Sequence, residues 1–178
     1  MKKNVIVFGL IAGVIVSVWM AITTLNCHDS KTFDPGNSMV LGYASMLLAF
    51  SLIFVAVKNY RDKYNGGVVS FGKAFKIGFF IALIASTMYV LVWQVEFFFF
   101  VPDFAEKLSE YTIKKMQHDG SSAAQIAAQR ISMANFNQKY KNPLFNMLIT
   151  YVEILPLGLI VTLISALILK RKKGAVAV

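Results

Sequence analysis

Four stretches of this chain are apolar for about twenty residues or more, the length that carries a helix across a hydrocarbon layer about 30 Å thick at about 1.5 Å per residue. They run from Asn4 to Leu25, from Ser38 to Val57, from about Phe75 to Val101, and from Leu144 to Leu169. The first two contain no charge, the third carries Lys76 at its start and Glu96 near its end, and the fourth carries only Glu153. A soluble domain of 178 residues has no interior large enough to bury four such segments. Backbone groups in lipid must bond within their own segment, so the stretches are expected to be helices. Composition excludes the other broad classes. Hydrophobic residues make up 57% and charged residues 15%, which speaks against a soluble or disordered chain. Cys27 is the one cysteine, so no disulfide can form within the chain. We read residues 1–178 as a single all-α integral membrane domain.

The charges orient the spans. Formal net charge is +9, and in so apolar a chain a basic surplus points to membrane orientation before nucleic acid. With the N-terminus cytoplasmic, one side holds Lys2 and Lys3, then Lys58, Arg61, Lys63, Lys73 and Lys76, then Lys170 to Lys173, against the single acid Asp62. The opposite side holds Lys31, Lys107, Lys114, Lys115, Arg130, Lys139 and Lys141, offset by six acids that include Asp103, Glu106 and Glu110. The tight basic clusters abut span ends, where the positive-inside rule has most force. The expectation is a multi-pass protein of the bacterial inner membrane with both termini cytoplasmic. The first span is too long for a signal-peptide core, and Thr24, Leu25 and Asn26 ahead of Cys27 make a poor lipobox, so it reads as retained. Trp93 and Phe97 to Phe100 read as an outer aromatic belt, with Tyr60 and Tyr64 at the inner face. The basic inner face suits anionic lipid, although Lys170 to Lys173 are first an ordinary stop signal.

Small residues recur at a spacing of four: Gly9, Gly13, Ser17 and Ala21 in the first span, Gly78, Ala82 and Ser86 in the third, Gly158, Thr162 and Ala166 in the fourth. That spacing keeps them on one helix face and lets backbones approach, the main source of helix association in lipid. A four-helix bundle is expected, with Gly9–Gly13 serving internal packing ahead of homodimerisation. Between the third and fourth spans, residues 102–142 read as an extracytoplasmic helical hairpin, with helices over about 103–117 and from Ser121 or Ser122 to about Tyr140. Asp119-Gly120 separates them and Pro143 marks the start of the last span.

The loop between the second and third spans contains Asn59-Tyr60-Arg61-Asp62, a turn at Asn65-Gly66-Gly67, and Phe71-Gly72-Lys73-Ala74-Phe75 after a capping Ser70. Ala74 follows the Gly-Lys pair where a P-loop needs Ser or Thr, so nucleotide binding is not read here. Together with Asn142-Pro143-Leu144-Phe145 and Glu153-Ile154-Leu155-Pro156, these segments resemble an uncharacterised bacterial membrane family known as domain of unknown function 4199. The resemblance covers nearly the whole chain. It implies four spans and an inner-membrane location, and carries no activity or catalytic residues.

Glu153 is the sharpest anomaly. It lies about nine residues, or roughly 13 Å, into the fourth span, where a carboxylate is expensive and turns to the protein interior or to a water cavity. Pro156, three residues on, removes a backbone hydrogen bond near it. The pair reads as an ion or proton site, or as a protonated acid that fixes packing. Glu96 and Gln94, toward the outer end of the third span, complete the candidate intramembrane polar site. Glu96 has Lys139 or Lys141 as candidate partners, and we expect it to share with Glu153 a pocket capped by the hairpin. Cys27-His28-Asp29 offers metal-ligand types, but adjacent side chains seldom converge on one ion, so no metal, cofactor or catalytic set is assigned and no enzymatic activity is expected. Function reads first as a structural or accessory membrane subunit with a membrane protein partner or as a homo-oligomer, and alternatively as a small proton- or ion-coupled transporter or channel using Glu153. No nucleic-acid-binding element is present.

Overall fold

The computed structural model describes residues 1–26 and 35–171. Among these residues six α-helices follow one another: α1 (Lys2–Asn26), α2 (Pro35–Asn59), α3 (Phe71–Phe99), α4 (Phe104–His118), α5 (Ala123–Tyr140) and α6 (Pro143–Leu169). Among the described residues four segments are long and apolar enough to cross a membrane: Lys2–Thr24, Ser38–Tyr64, Phe71–Phe99 and Pro143–Leu169. Among the described residues there is no β-strand, only an isolated bridge between Val69 and Arg171.

The helix ends follow local chemistry. Ser70 caps α3 by accepting from the Lys73 N–H. Ser122 and Gln125 form a reciprocal capping box on α5. Asn142 accepts from the Leu144 and Phe145 N–H groups, and Pro143 occupies the first turn of α6, where its missing N–H costs nothing. Gly66 and Gly120 adopt positive φ, 62° and 75°, which only glycine takes without strain. The second span differs from its expected end at Val57. Its helix runs on through Asn59 into a π-helical turn over Tyr60–Tyr64. Lys58, Arg61 and Lys63 mark where apolar side chains stop, and nothing there interrupts backbone hydrogen bonding. The third helix begins at Phe71, as the capping Ser70 predicts, and ends at Phe99, short of the expected span end at Val101.

The four long helices pack around one core. α1 lies against α3 and α2, α6 lies against α3 and α2, and α2 also meets α3. The small residues make the close contacts. A Cβ placed on Gly9 would meet Ile84 Cβ at 3.0 Å, and one on Gly13 would meet Met88 Sδ at 2.5 Å. The Gly9–Gly13 face is therefore occupied by α3, and Ser17 on the same face is buried. On α3, Gly78 abuts Thr162 and Ile53. Ala82 is fully buried, and its Cβ would lie 2.8 Å from a Cβ on Gly158. Small residues thus interdigitate reciprocally across α3 and α6, with Phe50 and Ile53 of α2 filling the space beside them. In lipid this van der Waals contact replaces the hydrophobic drive.

The two ends of the assembly differ. At one end, Asn4 donates to the Ala56 carbonyl at 2.9 Å, Val69 and Arg171 exchange backbone hydrogen bonds of 3.1 and 2.8 Å, and Lys73 stands 5.4 Å over the Tyr60 ring. Lys2, Lys3, Lys58, Arg61, Lys63 and Lys76 belong to the same end by their places in the helices. At the other end, α4 and α5 pack on each other and α5 touches α6.

A leucine at position 158 overpacks the α3–α6 contact. Gly158→Leu should cost about 1–3 kcal/mol and lower the melting temperature in mild detergent. Gly72, with no neighbour within 4 Å of an added Cβ, is the control. Gly72→Ala should be neutral or stabilise by up to about 1 kcal/mol. Equal melting temperatures for the two variants would contradict this packing.

Candidate functional site

A cavity of about 370 Å³ opens among the helices at the hairpin end. Helical spacing builds its walls. Tyr89 and Trp93, one turn apart on α3, face it together. Met39, Tyr43 and Met46 repeat on α2, Trp19, Met20 and Thr23 on α1, and Ile149, Thr150 and Glu153 on α6. The hairpin supplies Phe104, Leu108, Met133, Phe136 and Tyr140 over the top. Three hydroxyls on the wall serve their own helices. Thr23, Ser45 and Thr150 each donate to a carbonyl one turn back.

Aromatic contacts fasten the hairpin to the spans. Trp93 Nε1 donates to the Tyr140 hydroxyl at 2.9 Å. The Trp93 and Phe104 rings meet edge-on at 5.1 Å, as do Phe97 and Tyr140. Phe136 stacks on Tyr140 at 5.2 Å, and Asn137 Nδ2 donates to Ser109 Oγ at 2.9 Å, joining α5 to α4. Burial pushes the Tyr140 phenol above its ordinary value, against the opposing pull of hydrogen bonds with Trp93 and Thr150, while the Glu153 charge adds to the rise. At neutral pH Tyr140 is therefore a neutral hydroxyl.

Among the described residues Glu153 supplies the one formal charge on the wall. It is closely surrounded by protein yet accessible, as a side chain on an open cavity must be. Among the described residues its carboxylate has no hydrogen bond and no ion pair. Its charge reaches the hydroxyls of Tyr43, Tyr89 and Tyr140 on three different helices. No Lys, Arg or His of the described residues lines the cavity. Met39, Tyr43 and Glu153 are exposed on the seam between α2 and α6, and Phe136 is exposed on α5.

The other candidate residues lie elsewhere. Glu96 is buried at 7% exposure, beside the Thr24 hydroxyl, with neither carboxylate oxygen in a formed hydrogen bond. Thr24 lines the cavity and Glu96 does not, so the expected shared pocket holds only one of the two acids. Lys141, a candidate partner for Glu96, pairs with Glu106 at 3.0 Å. Gln94 donates to Asn146 Oδ1 at 2.6 Å, and Asn146 is fully buried. That bond ties α3 to the first turn of α6 behind the cavity roof. Pro156 sits inside α6, which stays helical through it. Having no N–H, it leaves the Val152 carbonyl, next to Glu153, without its helical donor. Trp93, read from sequence as an interface residue, is instead a buried wall of the cavity. Tyr43, Tyr89, Tyr140 and Trp19 were missed. The available signal was their depth, since Tyr89 and Trp19 lie well inside apolar runs. Among the described residues no three His, Cys, Asp or Glu side chains gather as metal ligands, and Cys27-His28-Asp29 lies outside the described residues.

Tyr140→Phe removes the acceptor for the Trp93 N–H and should cost about 1–3 kcal/mol. Hydrogen exchange should then speed up in α4 and α5 while the cores of α3 and α6 stay protected. Unchanged exchange in the hairpin would show that this bond does not hold it.

No curated protein and no solved structure matches the chain. The family model described as "Protein of unknown function (DUF4199)" matches residues 7–171, nearly the whole of the chain, and the protein therefore belongs to the DUF4199 family.

Proposed function

We propose that this is a bacterial inner-membrane protein, both termini cytoplasmic and the α4–α5 hairpin extracytoplasmic, that binds a small ligand in the hairpin-end cavity, with Glu153 as the coupling acid of a small transporter. The orientation rests on the gathering of basic residues at the opposite end of the helices, which suits the cytoplasmic face and its anionic lipid. The observation that carries the functional reading is a carboxylate without a partner among the described residues, lining a 370 Å³ cavity about 15 Å into a span. A charge at that depth is costly and marks a ligand or ion path when it faces a cavity. The volume falls in the range of small-molecule sites. The accessory-subunit reading draws on the apolar outer faces of the spans, but surrounding lipid accounts for these fully.

Orientation is read by cysteine accessibility. In a Cys27→Ser background, Ala124→Cys should react with a membrane-impermeant maleimide in intact cells, whereas Lys63→Cys should react only after the membrane is opened. The reverse pattern would invert the topology.

The site is read by a hydrophobic carbodiimide, which modifies protonated carboxyl groups within membranes. Glu153 should be the modified residue in native membranes, located by mass spectrometry. Gly42 lines the cavity and has open space around it, so Gly42→Phe should fill the cavity without disturbing the packing. It should slow the labelling about tenfold or more, a factor worth about 1.4 kcal/mol. Labelling of Glu96 with Glu153 untouched would refute the assignment.

A further inference from the structure

We propose that the ligand of this cavity is a lipophilic organic cation, a bulky quaternary ammonium or phosphonium type of molecule. The inference rests on the ligand-binding reading above and specifies its chemistry. Three properties of the wall point the same way.

The first is charge. Among the described residues Glu153 is the one acid on the wall and no basic side chain lines it. The complement of an isolated carboxylate in an apolar surround is a single positive charge. An anion, or a lipid headgroup with its phosphate, would find no cation among the described residues of the wall.

The second is the surface around that carboxylate. Trp19, Tyr43, Tyr89, Trp93, Phe136 and Tyr140 come from four different helices to line the same space. Aromatic faces attract cations through the ring quadrupole, and cages of such rings are the usual means of holding quaternary ammonium groups. A bare metal ion fits poorly. It asks for six or more oxygens at about 2.3–2.6 Å if calcium, whereas no three His, Cys, Asp or Glu side chains gather among the described residues. The Thr23, Ser45 and Thr150 hydroxyls are tied to three separate helices by their own carbonyls.

The third is access. The exposed residues of the described wall are Met39, Tyr43 and Glu153 on the α2–α6 seam and Phe136 on α5; the seam is a face that borders hydrocarbon, while Phe104 and Leu108 cover the hairpin side. A ligand that arrives from the bilayer must dissolve in it, which selects a cation whose charge is spread or shielded by apolar groups.

The chain has two tryptophans, Trp19 and Trp93, and both line the cavity. Their fluorescence therefore reads its occupancy without a label. The full-length protein in mild detergent is titrated with tetraphenylphosphonium and, separately, with tetraphenylborate, an anion of the same shape. The cation should quench the tryptophans saturably, the anion should not, and Glu153→Gln should weaken the cation about tenfold or more. Glu96→Gln, outside the cavity, should leave its affinity within about twofold of wild type. Equal affinity for both ions, or undiminished affinity for the cation in Glu153→Gln, overturns the proposal. Absence of cation binding to the wild type overturns it as well. In that case, carbodiimide labelling of Glu153 that Gly42→Phe blocks would leave the ligand-binding reading standing, whereas absent labelling would remove both.

Discussion

Close contact between helix backbones at small residues is the constraint on which the rest depends. Lipid gives apolar helices no reason to leave it, so association must come from packing closer than lipid allows. Gly78 and Ala82 of α3 against Thr162 and Gly158 of α6, with Gly9 and Gly13 of α1 against Ile84 and Met88, provide that approach. All of these contacts lie in the middle of the helices or toward the basic end. Farther along α3 the facing residues become Tyr89, Trp93 and Phe97. Tyr89 and Trp93 line the cavity there, and Phe104, Leu108 and Tyr140 of the hairpin lie over it.

The same geometry explains how an acid is tolerated in a span. Glu153 does not reach an interface, and among the described residues it has no ion partner. It lines an open cavity, whose wall also carries Tyr43, Tyr89 and Tyr140, the setting in which an acid within a span is tolerated. Glu96 is accommodated differently, buried beside Thr24 at the rim. Two acids that look alike in sequence occupy unlike environments. The difference arises from helix rotation, since Trp93 faces the cavity and Glu96, three residues on, is turned past it.

Local features of the fold were legible in the sequence because local chemistry determines them. The spans follow from runs of apolar residues, the caps from Ser70, Ser122 and Asn142, and the turns from Gly66 and Gly120. The end of α2 was misjudged because a cluster of basic residues ends an apolar face without ending a helix. Which helix packs on which was not legible. Spacing of four shows that a small-residue face exists and says nothing of its partner, so α1 against α3 emerges only from the structure. Of the site, Glu153 was visible as a charge out of place. Its aromatic surround was not, because Tyr43, Tyr89 and Tyr140 come from separate helices and carry no joint signature in the chain.

The claim at the centre of this account is that the Glu153 carboxyl faces protein aromatic rings across a cavity and not the acyl chains of the bilayer. Solid-state NMR of the protein in lipid bilayers, with glutamate and tyrosine selectively labelled with carbon-13, reads this directly. The account predicts through-space cross-peaks from the Glu153 carboxyl to the rings of Tyr89 and Tyr43. Cross-peaks from that carboxyl to lipid acyl chains with none to tyrosine would contradict it.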